Sequence, residues 1–319
     1  MKKTACIYTS NTGVGLVADV DLLQDLLHEY YDVDVLFFNW KNEQVYTTSE
    51  STKYDLGIFL QEIEPAFFER AKHNVFLPNE EWLNETKINS IREFDKVICK
   101  STFSQHLLSP YNNNVVNSGF ISRDKFDPNI QRKDTFLHLG GKSWQKGTEA
   151  VLNIFNKNEL PLTFIQSNKN YDNSDKDKNI NYINTFLDVS ELNKLFNTSS
   201  IHLCPSIYEG WGHYLYEALS VGALVYVTRL PMFLEWLDPE LVVFNDCIYS
   251  GMNDDVLFLR KRKNTLHQFG WLVDEECLED NINNYKKHLE KHNPTKVRDY
   301  FRYLNDKNSD TLLNHLLDL

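Results

Sequence analysis

Short, largely apolar runs separated by stretches of helical periodicity constrain this chain more than any other feature. ACIYTS (residues 5–10) ends in polar residues, NTGVG turns the chain, and Val17, Val20, Leu23, Leu27 and Tyr30 then recur at helical spacing. VDVLFF (33–38), LGIFLQ (56–61), NVFLP (74–78) and KVICKS (96–101) read as four more buried strands. Buried strands alternating with helical segments predict a parallel, doubly wound α/β sheet.

A polar, Asn-rich stretch, YNNNVVNSGFISRDKFDPNIQRKD, interrupts the alternation and reads as an inter-domain linker. Beyond it a second alternating set begins: DTFLHLGG, a helix from Thr148 through Phe155, LPLTFIQS, INYINTFLDVSELNKLFNTS, SIHLCPS and LVYVT. A chain of 319 residues is too long for one hydrophobic core of ordinary size, so two domains are expected. We place them at 1–130, joined by a C-terminal helix at 295–319, and at 131–294. The segment 246–271, with its FLRKRKN cluster, has no clear period and reads as a surface excursion.

Composition bounds the function classes. A hydrophobic fraction of 42% and a charged fraction of 24% describe a folded globular protein. A formal net charge of -12 repels polyanions, which disfavours duplex DNA as a partner without ruling out a local basic groove. The five cysteines are odd in number and mostly embedded in apolar runs, so they read as buried thiols in a reducing compartment. No apolar run approaches the roughly 20 residues of a membrane span, and a cytoplasmic location is the expectation.

Two stretches carry the chemistry. In HLGGKSWQKGTEAVL (138–152) an apolar strand ends in Gly140 and Gly141, Lys142 and Lys146 follow, and a helix opens at Thr148. Glycines permit close backbone approach, a helix start offers unpaired N–H groups, and the lysines add full charges, which together suit a phosphate or diphosphate. A solvated loop with two surface lysines is the plainer reading of that stretch alone. In PSIYEGWGHYLYEALSVGALVYVT (205–228), Gly210 and Gly212 flank Trp211, His213 and Tyr214 follow, and Glu209 and Glu217 stand eight residues apart. Carboxylates accept hydrogen bonds from paired sugar hydroxyls, although a helix-start carboxylate at Glu217 would also be favoured by the helix dipole. Gly13 and Gly15 do not complete a dinucleotide fingerprint, and a tight strand-to-helix turn accounts for them.

These residues resemble family 4 of the retaining glycosyltransferases. EGWGHYLYEALSVGALV is similar to that family's glutamate, seven residues, glutamate signature, with Glu209, Gly210, Gly212, Glu217, Ala218, Gly222 and Val225 in step. Gly141, Lys142, Lys146 and Gly147 look like its upstream basic loop, with Lys142 where an arginine is usual, a gap one residue shorter, and Trp211 where Phe is usual. The resemblance is specific over 136–237, and short viral and phage members are the nearest in build. It implies a GT-B fold of two facing Rossmann-like, doubly wound domains with a cleft between them.

It further implies a metal-independent transferase with no cofactor, moving a sugar from a nucleoside-diphosphate sugar, UDP- or GDP-linked, to a glycan or small-molecule acceptor with retention of configuration. Carried over, Glu217 holds the donor ribose and Glu209 faces the transferred sugar. Lys142 and Lys146 neutralise the leaving diphosphate, and Gly140, Gly141 and the segment Gly210–Tyr214 line the donor. The first domain would take the acceptor, with Gly13, Val14, Gly15, Asn79, Glu80 and Glu81 as candidates. No histidine stands where the family often has one, and Glu80 or Glu81 could orient the acceptor hydroxyl instead. Two other readings stay open: a non-catalytic sugar-nucleotide or glycan-binding protein, and a transferase acting on a modified nucleic-acid base.

Overall fold

The computed structural model describes residues 2–10, 14–38, 53–83, 85–166, 177–250 and 270–319. Gly13 and the FLRKRKN cluster lie outside them. The chain forms two compact units, one built on residues up to Ile121 together with Asn305–Leu319, the other running from Ser122 through Leu304.

The N-terminal unit holds six parallel strands: β1 (Lys3–Ser10), β2 (Tyr31–Phe38), β3 (Tyr54–Leu60), β4 (Ala71–Leu77), β5 (Lys96–Cys99) and β6 (Val115–Asn117). Their order in the sheet is β2-β1-β3-β4-β5-β6, every pairing being parallel. Helix α1 (Val14–Leu27) follows β1 and α2 (Thr102–Leu108) follows β5. The other crossovers hold only 3-10 segments, at Pro65–Arg70, Glu80–Trp82 and Glu85–Glu93. Only ten residues, 61–70, separate β3 from β4, too few for a helix with its entry and exit loops. Aromatic bulk covers the sheet there instead. Phe76 and Phe94 stack at 5.1 Å, and Tyr8 lies 4.7 Å from Phe59 and 5.1 Å from Phe67.

The long C-terminal helix (Pro294–Leu317) seals this unit with its last turns, where Leu312 and Leu316 are fully buried. Lys96 Nζ donates to the carbonyls of His315 (2.9 Å) and Asp318 (2.8 Å), placing a cation on the carbonyls that a helix C-terminus leaves unsatisfied.

The C-terminal unit repeats the theme with β7 (Lys133–Gly141), β8 (Leu162–Gln166), β9 (Ile180–Ile183), β10 (Ser199–Cys204), β11 (Leu224–Thr228) and β12 (Val243–Asn245), in the order β12-β11-β10-β7-β8-β9. All pairings are again parallel. Helices α3 (Thr148–Asn158), α4 (Val189–Thr198), α5 (His213–Ser220) and α6 (Pro231–Trp236) follow β7, β9, β10 and β11. Asp188 and Glu191 close a capping box at the start of α4, satisfying donors that a helix start leaves open. Every residue of β10 is buried, as a central strand covered on both faces requires. It ends at Cys204, one of five free thiols and 1% exposed. A separate antiparallel pair, β13 (Cys247–Ser250) with β14 (Gly270–Val273), brackets the stretch read as a surface excursion.

Candidate active site

Sheet order decides where a site can form in the C-terminal unit. Strands β7 and β10 are neighbours, yet β7 continues toward β8 and β10 toward β11 on the opposite side. The order in which successive strands are added therefore reverses between these two parallel strands, and in open α/β sheets ligands bind in the crevice beyond the carboxyl ends of such a strand pair. The two loops singled out in the sequence are the ones that leave these strands: 142–147 follows β7 and 205–212 follows β10.

The loops are fastened to each other. Ile207 donates its backbone N–H to the carbonyl of Gln145 at 2.7 Å. Gly147 has φ +64°, in the left-handed region, and a Cβ built on it would lie 2.0 Å from the carbonyl oxygen of Pro205, so only glycine fits between the loops. Gly147 caps α3 and Gly212 (φ +90°) caps α5, and neither glycine brings a side-chain acceptor to the helix start it caps. Beneath, the fully buried His138 is held at both nitrogens, Nδ1 2.9 Å from the Leu203 carbonyl and Nε2 3.0 Å from Thr148 Oγ1. Burial pushes its imidazole down to about 4, so it is neutral: Nδ1–H donates to the carbonyl, Nε2 accepts from the hydroxyl, and the ends of β7, β10 and α3 are tied together.

Charge is arranged in pairs at this rim. Lys146 Nζ donates to Glu209 Oε1 at 2.5 Å and lies 3.8 Å from the Tyr214 ring centroid. Ser206 Oγ donates to the same carboxylate oxygen at 2.6 Å. The lysine and glutamate side chains keep 19% and 12% of their surface, enough for an incoming group to reach them. Glu217, on α5, pairs with Lys125 at 3.5 Å. Burial raises the Glu217 carboxyl above its usual range, and the basic side chains around it, Lys125 foremost, pull it partly back.

The sequence-predicted residues separate into three sets. Lys146, Glu209 and Glu217, with the backbone of Gly140, Gly141, Gly210, Gly212 and His213, are gathered at the crevice. Lys142 is exposed on the same loop. Trp211 and Tyr214 have side chains 5% and 6% exposed. The Trp211 ring stacks on Tyr216 at 4.0 Å and its Nε1 donates to Ser122 Oγ, while the Tyr214 hydroxyl is hydrogen-bonded to Ser206, so these two present backbone, not rings, to the crevice. The His213 ring also turns to Ser122, with Nδ1 3.0 Å from its Oγ.

In the N-terminal unit Val14 and Gly15 open α1, and Asn79, Glu80 and Glu81 follow β4. The two glutamates, read from the sequence as candidates to orient an acceptor hydroxyl, are buried, being 0% and 5% exposed. Burial first, then the charge of Glu81, pushes the Glu80 carboxyl up to about 8. Asn79 Oδ1 accepts from Lys100 Nζ at 2.8 Å, and Lys100 pairs with Asp19 at 2.9 Å in a fully buried bridge.

Sequence reasoning missed Ser122, Lys125 and Ser206. The first two lie in the segment read as a linker, whose want of periodicity hid its packing against the C-terminal unit. Ser206 stands inside PSIYEG, and its spacing three residues before Glu209 was a usable signal.

Comparison with known proteins bears on the whole arrangement. Two α/β units, each built on a six-stranded parallel sheet, have the GT-B fold of known glycosyltransferases. Residues 120–248, which include both crevice loops and Lys125, match the family model described as glycosyl transferases group 1, and the chain is an enzyme that transfers sugars. Among solved structures, a glycosyltransferase from Rickettsia africae ESF-5 is similar over 100% of this chain and 98% of its own, with a TM-score of 0.69 at 13% identity. Anabaena HepE, solved with UDP and glucose, is similar over 99% of this chain and 100% of its own, at a TM-score of 0.67 and 11% identity. WaaG, a glycosyltransferase of lipopolysaccharide biosynthesis, covers 98% and 99%, at 0.63 and 10%. No curated protein matches the chain in sequence.

Proposed function

We propose that the C-terminal unit binds a nucleoside-diphosphate sugar and that the enzyme transfers the sugar to an acceptor hydroxyl with retention of anomeric configuration and without a metal ion. The observation that carries this is the Lys146–Glu209 pair, set between two glycine loops at the reversal of strand order and beside two helix starts. A leaving diphosphate develops negative charge where Lys146 and the first N–H groups of α3 and α5 supply positive charge. At an effective dielectric near 20, each close charge pair contributes on the order of 4 kcal/mol. Lys142, exposed beside Gly141, adds a second cation when the diphosphate is in place.

Each carboxylate has its own part. Glu217 accepts from the ribose hydroxyls, and Glu209 accepts from a hydroxyl of the transferred sugar while its pairing aims Lys146 at the phosphates. The leaving phosphate oxygen is the natural base for the acceptor hydroxyl, since no protein nucleophile is required. The complex of HepE with UDP and glucose supports a UDP-sugar as the first donor to try. A glycan or small-molecule hydroxyl is the proposed acceptor, with the N-terminal unit assigned to it, and the net charge of -12 weighs against a nucleic-acid base.

A panel of UDP-, GDP- and ADP-sugars incubated with the enzyme, with and without simple glycosides, tests the reading through released nucleotide and the NMR coupling of the new anomeric proton. Release from one donor, unchanged by EDTA and giving the donor's own anomer, is expected. No release from any donor, or an inverted product, overturns the reading.

A further inference from the structure

We propose that Lys125 is a positioning residue for donor binding: its ammonium keeps the Glu217 carboxylate ionised and aimed, so that it accepts from both hydroxyls of the nucleotide ribose. The inference rests on the donor reading above and assigns a role to a segment outside the two crevice loops.

Geometry makes Lys125 more than a surface lysine that happens to lie near a carboxylate. Its backbone is held on both sides, the N–H donating to Ser220 Oγ at 3.0 Å and the carbonyl accepting from Asn197 Nδ2 at 2.7 Å. Two residues on, the Asp127 N–H donates to Asn197 Oδ1 at 2.8 Å, and the next side chain, Phe126, lies under the Arg298 guanidinium at 3.2 Å. Ser220 belongs to α5, the helix that carries Glu217, and donates its own hydroxyl to the Glu217 carbonyl at 2.7 Å. One serine therefore registers the lysine backbone against the glutamate backbone. The ammonium lies 3.3 Å from Asn193 Oδ1 and 3.5 Å from Glu217 Oε1, and both charged side chains are only 13% exposed.

The chemistry follows from burial. A carboxyl in a dry site tends to its neutral form, and a neutral carboxyl spends one oxygen as a donor. Paired ribose hydroxyls need an acceptor at both oxygens, which only the carboxylate provides. Of the charges that favour ionised Glu217, Lys125 is the strongest. An exposed lysine pair contributes little because the side chain loses rotamer entropy and water screens the charge. Here the clamped backbone and the shared burial remove most of both objections.

The test reads the coupling between Lys125 and the ribose hydroxyls. Dissociation constants are measured by calorimetry for the tightest binder among UDP, GDP and ADP, and for its 2′,3′-dideoxy analogue, on wild type, Lys125→Met and Lys125→Arg. Lys125→Met is expected to weaken the ribonucleotide by about tenfold while changing the dideoxy analogue by less than about twofold, and Lys125→Arg is expected to recover most of the loss. The pH dependence adds a second readout. With the lysine gone the carboxyl titrates higher, so the methionine variant loses ribonucleotide affinity at a higher pH than wild type as pH falls, and the dideoxy analogue shows no such offset. Equal weakening of both ligands, or no weakening of either, overturns the proposal. A wild-type protein that binds none of the three nucleotides overturns the donor reading itself, a different result. If Lys125→Met lowers the melting temperature, Lys125→Gln is put through the same two-ligand comparison, in which misfolding would affect both ligands alike.

Discussion

In the N-terminal unit the order of strand addition reverses between β1 and β3, whereas in the C-terminal unit it reverses between β7 and β10, and the two crevices are furnished differently. At the second, Lys146 and Glu209 keep part of their surface. In the first unit the charged groups are withdrawn: Lys100 and Asp19 pair at 3% exposure each, and Glu80 is buried as a neutral acid. Similar residue types thus do opposite work. Where a charge pair is accessible and flanked by helix starts it can exchange partners with a ligand; where it is buried, separating it exposes two desolvated ions, so it acts as a brace.

The contrast can be broken in descending order of effect. Lys146→Ala should lower turnover by about 10² to 10³-fold, and a change under about threefold would remove the accessible pair from the chemistry. Lys142→Ala, on the exposed side of the same loop, should cost about tenfold or less, so equal losses would contradict the ranking by burial. Gly147→Ala meets both a left-handed backbone and the Pro205 carbonyl, and should destabilise the C-terminal unit by about 2–4 kcal/mol in urea unfolding. The N-terminal unit should keep its hydrogen-exchange protection in that variant.

The smallest effect concerns pH, and its sign differs between the units. Glu80 binds its proton more tightly folded than unfolded, so the N-terminal unit should lose stability as pH rises from the usual carboxylate range through about 8. His138 binds its proton less tightly folded, so the C-terminal unit should lose stability as pH falls from the usual imidazole range toward about 4. Hydrogen exchange resolved by unit across this range checks both slopes. Glu80→Gln should flatten the first and leave the second.

How much of this could be read from the chain alone follows from the range of the interactions. The strand SIHLCPS and the residues after it, through 228, carried strand, glycine turn, helix and next strand in local pattern, and the structure gives β10, α5 and β11 in that order. Which lysines those glutamates pair with was not legible, because the lysine partners of Glu209 and Glu217 stand 63 and 92 positions away and follow from sheet order, not from spacing. The 3-10 segments of the N-terminal crossovers were not legible, because they carry no 3.6-residue period. Glu80 and Glu81 looked like solvent-facing acids since nothing near them in sequence announces burial. The polar linker reading failed to foresee Ser122 and Lys125 for a related reason: a segment held by hydrogen bonds from its own backbone need not show an apolar face.

Cys204 turns the closed floor of the C-terminal site into something that can be timed. It ends β10 directly under the loop 205–212, and burial raises its thiol far above the ordinary range. Alkylation must therefore wait for the strand end to open, so the labelling rate counts openings. A nucleotide that binds only the closed form slows that clock by the factor 1 + [L]/Kd, about a hundredfold at 100 times its dissociation constant. The chain thus carries its own reporter of ligand binding, with no added dye and no assay of sugar transfer.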